Sequence, residues 1–338
     1  MECLAAMKRA VNLTYKNRGD DLFQDRLFSY LNDQLSISIN DLQPIRKQVY
    51  LVKTDQFDFI LKGFSTYRRL MLQETFTSAL YQVGFDDTYY FYQLSKKTPL
   101  LFEETYYGCL QYIEPATNGF TYHEKKDRID GLDLLSKYHL TTEKLIDRFR
   151  ILISPFQQIE KWHERAALFF NNLHIVKYFV QKEMIDEYLL WADWSLKGMQ
   201  SLSHIFDNGE KVITHGDVAH HNFLRGKDNK LYLIDFDLIS LSTPHTDYLQ
   251  YANRILPSIN WSWQELSTYE KMMPFLKDKG FIYALAYPTD IFREWNRAIK
   301  EKSYLQQEKI QQLLELTVEQ FEKRQEFFKE LTTLMKRF

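Results

Sequence analysis

Cysteine, glycine and proline are scarce in this sequence, and neither sign of charge is in surplus. Only Cys3 and Cys109 are present, far apart, so a disulfide framework and a thiolate metal cluster are both excluded and a reducing compartment is expected. Glycine contributes 11 residues and proline 8 out of 338, which disfavours collagen-like, linker-rich and many-turn all-β designs and leaves helices to dominate. Lys+Arg 43 nearly balances Asp+Glu 45, so the basic excess that phosphate contacts demand is missing and no nucleic-acid partner is expected. No stretch approaches the roughly 20 apolar residues of a membrane span. The start, Met1 to Arg9, carries Glu2 and lacks the apolar run of a secretory signal, so the chain is expected to be made and kept inside a cell. Aromatic residues are abundant by contrast, at 16%, enough for a ring-built core or an assembly surface. The length suggests two domains, or one domain with two lobes.

The first third reads as strands with a helix between them. Gln48 to Lys53 and Phe57 to Lys62 are β-branched or aromatic runs around Thr54-Asp55-Gln56, a hairpin pattern with Lys62 at the far end. Tyr67 to Val83 has helical spacing, includes Glu74, and meets a stop at Gly84. Further strands are expected at 88–94, 100–103 and 106–113, before Glu114 to Gly119 breaks the pattern. The lobes are therefore placed at 1–113, β-rich, and 114–338, mostly helical, with helices over 128–139, 142–206 and 301–338. In the last of these, Ile310, Leu314, Thr317, Phe321, Phe328, Leu331 and Met335 form one apolar stripe, read as a face packed on its own domain or offered to a partner.

One region stands apart. Val212 to Leu224 and Leu231 to Asp237 are apolar runs flanking the turn Gly226-Lys227-Asp228-Asn229-Lys230. If the chain reverses near 227–229, Asn222 and Asp235 become neighbours, and an amide oxygen with a carboxylate suits Mg²⁺, whose other positions water and nucleotide phosphates fill. Asp217, on the loop before the hairpin, is placed to accept a proton from an attacking hydroxyl. A zinc reading of His215, His220 and His221 has the wrong spacing, and adjacent histidines cannot both point inward from a regular stretch.

The phrase His215-Gly216-Asp217, then Asn222, then Ile234-Asp235-Phe236 resembles the catalytic loop and metal aspartate of the aminoglycoside phosphotransferase and choline kinase families. At roughly one in twenty per position, the His-x-Asp-x4-Asn part arises by chance in about 4% of chains this long, and the spaced aspartate lowers that about twentyfold. Within that superfamily the chain is similar to the spore coat kinase-like proteins, the CotS family in its YutH type, on Ile234 to Asp237, Thr246 to Leu249 and Ala286 to Phe292. The resemblance implies an α+β, two-lobed protein kinase-like fold, ATP and Mg²⁺ as cofactors, an unknown hydroxyl acceptor, and cytoplasmic synthesis followed by association with other spore coat proteins. It implies Asp217 as catalytic base, His215 as the residue holding the catalytic loop, Asn222 and Asp235 as metal ligands, Lys62 as the lysine on the phosphates and Glu74 as the carboxylate orienting it. Asp247 would brace the loop from a helix start, and Asp237 would be a second metal contact or an exposed carboxylate.

Kinase-like folds cover the phosphates with a glycine-bearing turn, because glycine lets backbone N–H groups approach the ligand. Here Ile39 to Val49 holds no glycine, so Arg46 or Lys47 would supply positive charge instead. That departure and the aromatic share favour an alternative, a catalytically degenerate scaffold of the coat; the intact Asp217, Asn222, Asp235, Lys62 and Glu74 favour phosphotransfer. For the acceptor, Trp162, Trp191, Trp194, Trp261 and Trp263 with Glu164, Asp186, Glu187 and Asp193 would suit a cation, against the plainer reading of the rings as core.

Overall fold

The strand pattern of the first third folds as an antiparallel sheet. The computed structural model describes residues 18–202, 206 and 209–337; Cys3, the start of the chain and part of the helical stretch expected over 142–206 lie outside them. Strands β1 (Ile39–Arg46), β2 (Val49–Thr54), β3 (Phe59–Phe64), β4 (Phe91–Tyr92), β5 (Leu100–Phe102) and β6 (Thr105–Gln111) run in the order β1-β2-β3-β6-β4, with β5 also on β6. The segment 39–49, expected to bridge two strands, is mostly a strand itself, and the turn shrinks to Lys47 and Gln48. Gln48 makes that turn with φ 59°, a left-handed conformation that glycine would adopt with less strain. The strand expected over 88–94 is cut to two residues: the Thr88 carbonyl accepts from the Tyr81 hydroxyl at 2.7 Å, and the Leu94 carbonyl accepts from the Ser36 N–H at 2.8 Å.

Two helices cover this sheet. Helix α1 (Arg18–Gln34), which the sequence reading did not anticipate, buries Leu27 and Leu31 in one cluster with Ile39, Val52, Phe59 and Leu61, each worth roughly 1.5–3 kcal/mol of burial. Helix α2 (Tyr67–Gln82) begins where the Thr66 side chain accepts from the Arg69 N–H, which satisfies one of the open donors of a first turn. Its buried face is Leu70, Gln73, Phe76, Thr77 and Leu80. A Cβ on Gly108 of β6 would lie 2.8 Å from Leu70 Cδ1, so the helix rests on the sheet only because that position has no side chain.

The expected reversal is present. Strand β7 (Val212–Thr214) is followed by β8 (Phe223–Arg225), β9 (Leu231–Leu233) and β10 (Ser240–Ser242); β8 pairs with β9, Phe223 opposite Leu233, and β7 pairs with β10. By contact the chain divides into two units, one holding the residues up to Phe120 with His221–Asp237, the other holding Thr121–His220 with the residues from Leu238 onward.

The second unit is helical: α3 (Lys125–Thr142), α4 (Gln158–Asn171), α5 (Lys182–Ser201), α6 (His245–Ile255), α7 (Lys279–Leu285), α8 (Thr289–Lys300), α9 (Gln307–Leu314) and α10 (Phe321–Met335). The expected continuous helix from 142 is broken at 152–157, where the Phe156 N–H donates to the Leu241 carbonyl at 2.9 Å. Rings fill this core: Trp162 stacks on Tyr287 at 4.1 Å and Phe169 on Phe292 at 4.1 Å. The last apolar stripe needs correction. A π-helical turn at Glu315–Glu319 adds a residue to the repeat and shifts the phase, so the apolar side chains buried there are Leu313, Phe327 and Leu331, with Thr317, whereas Ile310, Leu314, Phe321, Phe328 and Met335 are only partly covered. Among the described residues no helix is long and apolar enough to cross a membrane.

Candidate functional site

In the sheet unit, four elements converge on Lys62. It sits in β3 between Val49 of β2 and Gly108 of β6, with a side chain only 8% exposed. Its Nζ donates to Asp235 Oδ1 at 2.8 Å and to Asp237 Oδ1 at 2.9 Å. From the end of β1, Arg46 Nη2 donates to the other oxygen of Asp235 at 2.7 Å. From α2, the Gln73 amide donates to Asp237 Oδ1, and the Tyr89 hydroxyl donates to Gln73 Oε1 at 3.3 Å.

Two aspartates with one buried amine and one half-exposed guanidinium neutralise each other within a few ångströms. Burial alone would raise the Asp235 pKa, but the field of Lys62, the Arg46 bond and the Lys62 bond together hold it well below the usual carboxylate range. Asp235 is therefore an anion at any physiological pH. Asp235 is itself left-handed, φ 70°, and beyond it Phe236 packs edge-on against Phe76 at 5.4 Å. Asn222 is buried, and its backbone carbonyl accepts from the Ile234 N–H at 2.9 Å, which fixes it one residue away from Asp235 across the hairpin.

Glu74 is not part of this cluster. Lys62 meets Asp235 and Asp237, and the Glu74 carboxylate accepts from the Gln93 amide. The helix explains this: neighbouring residues point about 100° apart, and Gln73, not Glu74, lies on the buried face. Gln73 was missed in the sequence, although an amide among Leu70, Phe76, Thr77 and Leu80 on one helix face is a readable sign.

In the helical unit, Asp217 stands on a loop held by Asp247 of α6. The N–H groups of His215 and Gly216 donate to the two Asp247 oxygens at 2.7 and 3.0 Å, and His139 Nε2 of α3 donates to Oδ2 at 2.8 Å. Asp247 is completely buried; burial would raise its pKa, yet the bond from His139 and the fields of His139 and His215 lower it. His215 is equally buried and its Nδ1 accepts from the Asp217 N–H at 3.4 Å, so the imidazole supports the loop from beneath. Gly216 carries φ 79°, and a Cβ there would come within 2.2 Å of the Leu238 carbonyl oxygen. Beside the aspartate is Arg254 of α6, Nη2 3.7 Å from Asp217 Oδ1, a residue with no motif to announce it.

Among the described residues no group of three or more His, Cys, Asp or Glu is placed to hold a metal ion. Any metal would rest on Asn222 and Asp235 with phosphate and water, a hard-oxygen set that fits Mg²⁺. The rings expected to receive a cation are mainly core, with Trp162 and Trp191 buried. Three of their four companion carboxylates are engaged too: Asp186 with Lys182 at 3.0 Å, Asp193 with Lys197 at 2.7 Å, and Glu187 with Trp191 Nε1 at 2.9 Å.

A crystal structure of an aminoglycoside phosphotransferase from Alicyclobacillus acidocaldarius superposes with a TM-score of 0.70 at 15% identity, covering 90% of this chain and 95% of that one. The fold is aminoglycoside phosphotransferase-like. The AMP-bound spectinomycin phosphotransferase APH(9)-Ia matches this fold with a TM-score of 0.61 at 16% identity, over 91% and 94% of the two chains. Choline kinase LicA from Streptococcus pneumoniae matches it with a TM-score of 0.50 at 17% identity, over 93% and 100%. Residues 131–266 match the model of the phosphotransferase enzyme family, a span that holds His215, Asp217, Asn222, Asp235, Asp247 and Arg254.

Proposed function

We propose that this protein is a nucleotide-dependent phosphotransferase acting on a hydroxyl. The observation that carries the reading is the ionised Asp235 held between Lys62 and Arg46, an anion and two cations of the kind that bind a metal-bound polyphosphate. The similarity to an AMP-bound spectinomycin phosphotransferase supports ATP as the donor.

In this reading Lys62 and Arg46 exchange Asp235 for phosphate oxygens when nucleotide enters, and Asn222 and Asp235 hold Mg²⁺. Bound there, Mg²⁺ would neutralise charge developing on the phosphates. Asp217 accepts the proton of the acceptor hydroxyl as its oxygen bonds to the γ-phosphorus and the bond from that phosphorus to the β-phosphate oxygen breaks, leaving ADP. His215 and Asp247 keep the loop of Asp217 in place. Glu74 has no partner role here; Gln73 steadies Asp237 instead.

A second reading, a kinase-fold coat component without catalysis, is favoured by the glycine-free turn and by the likeness to the CotS family in its YutH type. It brings association with other spore coat proteins in place of turnover.

Calorimetric titration with Mg-ATP separates the two. Phosphotransfer requires a heat of binding that Asp235→Ala removes and Asp217→Ala retains, while either substitution abolishes ADP formation. No heat in the wild type, with normal deposition of both variants in spores, leaves the coat reading standing.

A further inference from the structure

Lys62 has two carboxylates beside it, and the phosphotransferase reading takes one of them away. Its side chain is only 8% exposed, and an ammonium so buried needs an anion within reach. Asp235 Oδ1 and Asp237 Oδ1 stand 2.8 and 2.9 Å from its Nζ. Once Asp235 turns to Mg²⁺, Asp237 is the member of that pair left to fix where the amine points.

The surroundings of Asp237 hold it at that post. Between it and Asp235 the buried ring of Phe236 packs against Phe76 at 5.4 Å and Tyr89 at 5.9 Å. The Asp237 oxygen that accepts from Lys62 also accepts from the Gln73 amide. Gln73 is buried, and its amide has one sensible orientation. The Tyr89 hydroxyl donates to Oε1 at 3.3 Å, which leaves Nε2 for the carboxylate, whereas the flipped amide would set oxygen against oxygen. A neutral side chain suits this position, because a carboxylate there would face Asp237 as a like charge. Glu74, next along the helix, is turned away to Gln93.

We propose that Asp237, oriented by Gln73 and Tyr89, is the positioning residue of Lys62: it keeps the amine in place for the phosphates after Asp235 has left, the part that the family resemblance gave to Glu74. The phosphates rest on the phosphotransferase reading; the dependence of Lys62 on Asp237 does not.

Chemical denaturation of the full-length protein without nucleotide supplies two double-mutant cycles, Lys62→Met with Asp237→Asn and Lys62→Met with Glu74→Gln. The first pair is expected to be coupled by about fivefold or more in the folding equilibrium, the second not at all. Calorimetry with Mg-ATP and with adenosine then reads the positioning. Asp237→Asn and Gln73→Met each weaken Mg-ATP binding about tenfold, leave adenosine binding unchanged, and leave the Mg²⁺ concentration for half the ATP heat where it was; Glu74→Gln alters none of these. Melting curves verify folding, and if the buried Gln73→Met variant misfolds, the nearly isosteric Asp237→Asn decides. The proposal is overturned by absence of coupling between Lys62 and Asp237, by unchanged Mg-ATP affinity or equally weakened adenosine binding in Asp237→Asn, or by an equal effect of Glu74→Gln. A raised Mg²⁺ requirement in Asp237→Asn makes Asp237 a metal ligand and overturns it too. Coupling of Lys62 to Asp237 in a protein that gives no heat with Mg-ATP upholds the pair and overturns the phosphotransferase reading.

Discussion

Arg46, from the tip of a β-hairpin, donates to the Asp235 oxygen that Lys62 leaves open, at 2.7 Å. A half-exposed guanidinium in such a pair adds little stability, on the order of 1 kcal/mol or less, so its place is better explained by what it does when a polyanion arrives. Arg46→Ala is expected to weaken Mg-ATP binding about tenfold while leaving adenosine binding nearly unchanged, and Arg46→Lys to recover part of the loss. Parallel titrations with adenosine and Mg-ATP check this; equal weakening of both would assign Arg46 to the fold alone.

Asp235 also makes stability depend on acid. Its folded pKa lies below the unfolded value of about 3.9, so its contribution is complete at neutral pH and is lost as pH falls from about 4 through the folded pKa. Asp235→Asn should cost about 3 kcal/mol at pH 7, because Lys62 loses one of two partners in a largely buried pair. The variant should then show a shallower fall in melting temperature between about pH 5 and pH 2 than the wild type.

Two glycines with positive φ separate strain from collision. Gly84, φ 91°, has open space where a Cβ would go, so Gly84→Ala should cost only the 1–2 kcal/mol or so of the left-handed conformation. Gly216→Ala adds a clash with the Leu238 carbonyl and should cost several kcal/mol more, or displace the Asp217 loop. Chemical denaturation of both variants, each against the wild type, measures the gap; similar losses would contradict the geometry.

Removing the brace should loosen the loop without touching the nucleotide. Asp247→Ala strands two backbone N–H groups and His139 in a fully buried place, a loss of roughly 3 kcal/mol or more. Faster hydrogen exchange at Gly216 and Asp217 is expected together with a lower melting temperature, with Mg-ATP affinity close to that of the wild type.

Local features were legible from sequence because neighbours in the chain decide them. The reversal at 226–230, the approach of Asn222 to Asp235, and the helix ending at Gly84 follow from turn chemistry and periodicity, and the structure contains all three. What escaped depends on three-dimensional neighbours. Helix α1 is an exception: it carries Phe23, Leu27, Phe28 and Leu31 at helical spacing against the sheet, a pattern present in the sequence that the reading passed over. Whether Gln73 or Glu74 faces Lys62 is a question of helix rotation, settled by packing of Leu70 and Phe76. The phase of the last stripe turns on one extra residue in the π-helical turn. Arg254 meets Asp217 from a separate helix, and no spacing rule connects them.

The chain passes between its two units three times, after Phe120, His220 and Asp237. No single cut therefore yields an intact half: a fragment ending at residue 120 keeps Lys62 and Arg46 but discards both aspartates that neutralise them. A crossover between residues 62 and 235 would join the lysine of one parent to the carboxylates of another, so in an exchange between relatives the seventeen-residue insert has to move together with the sheet.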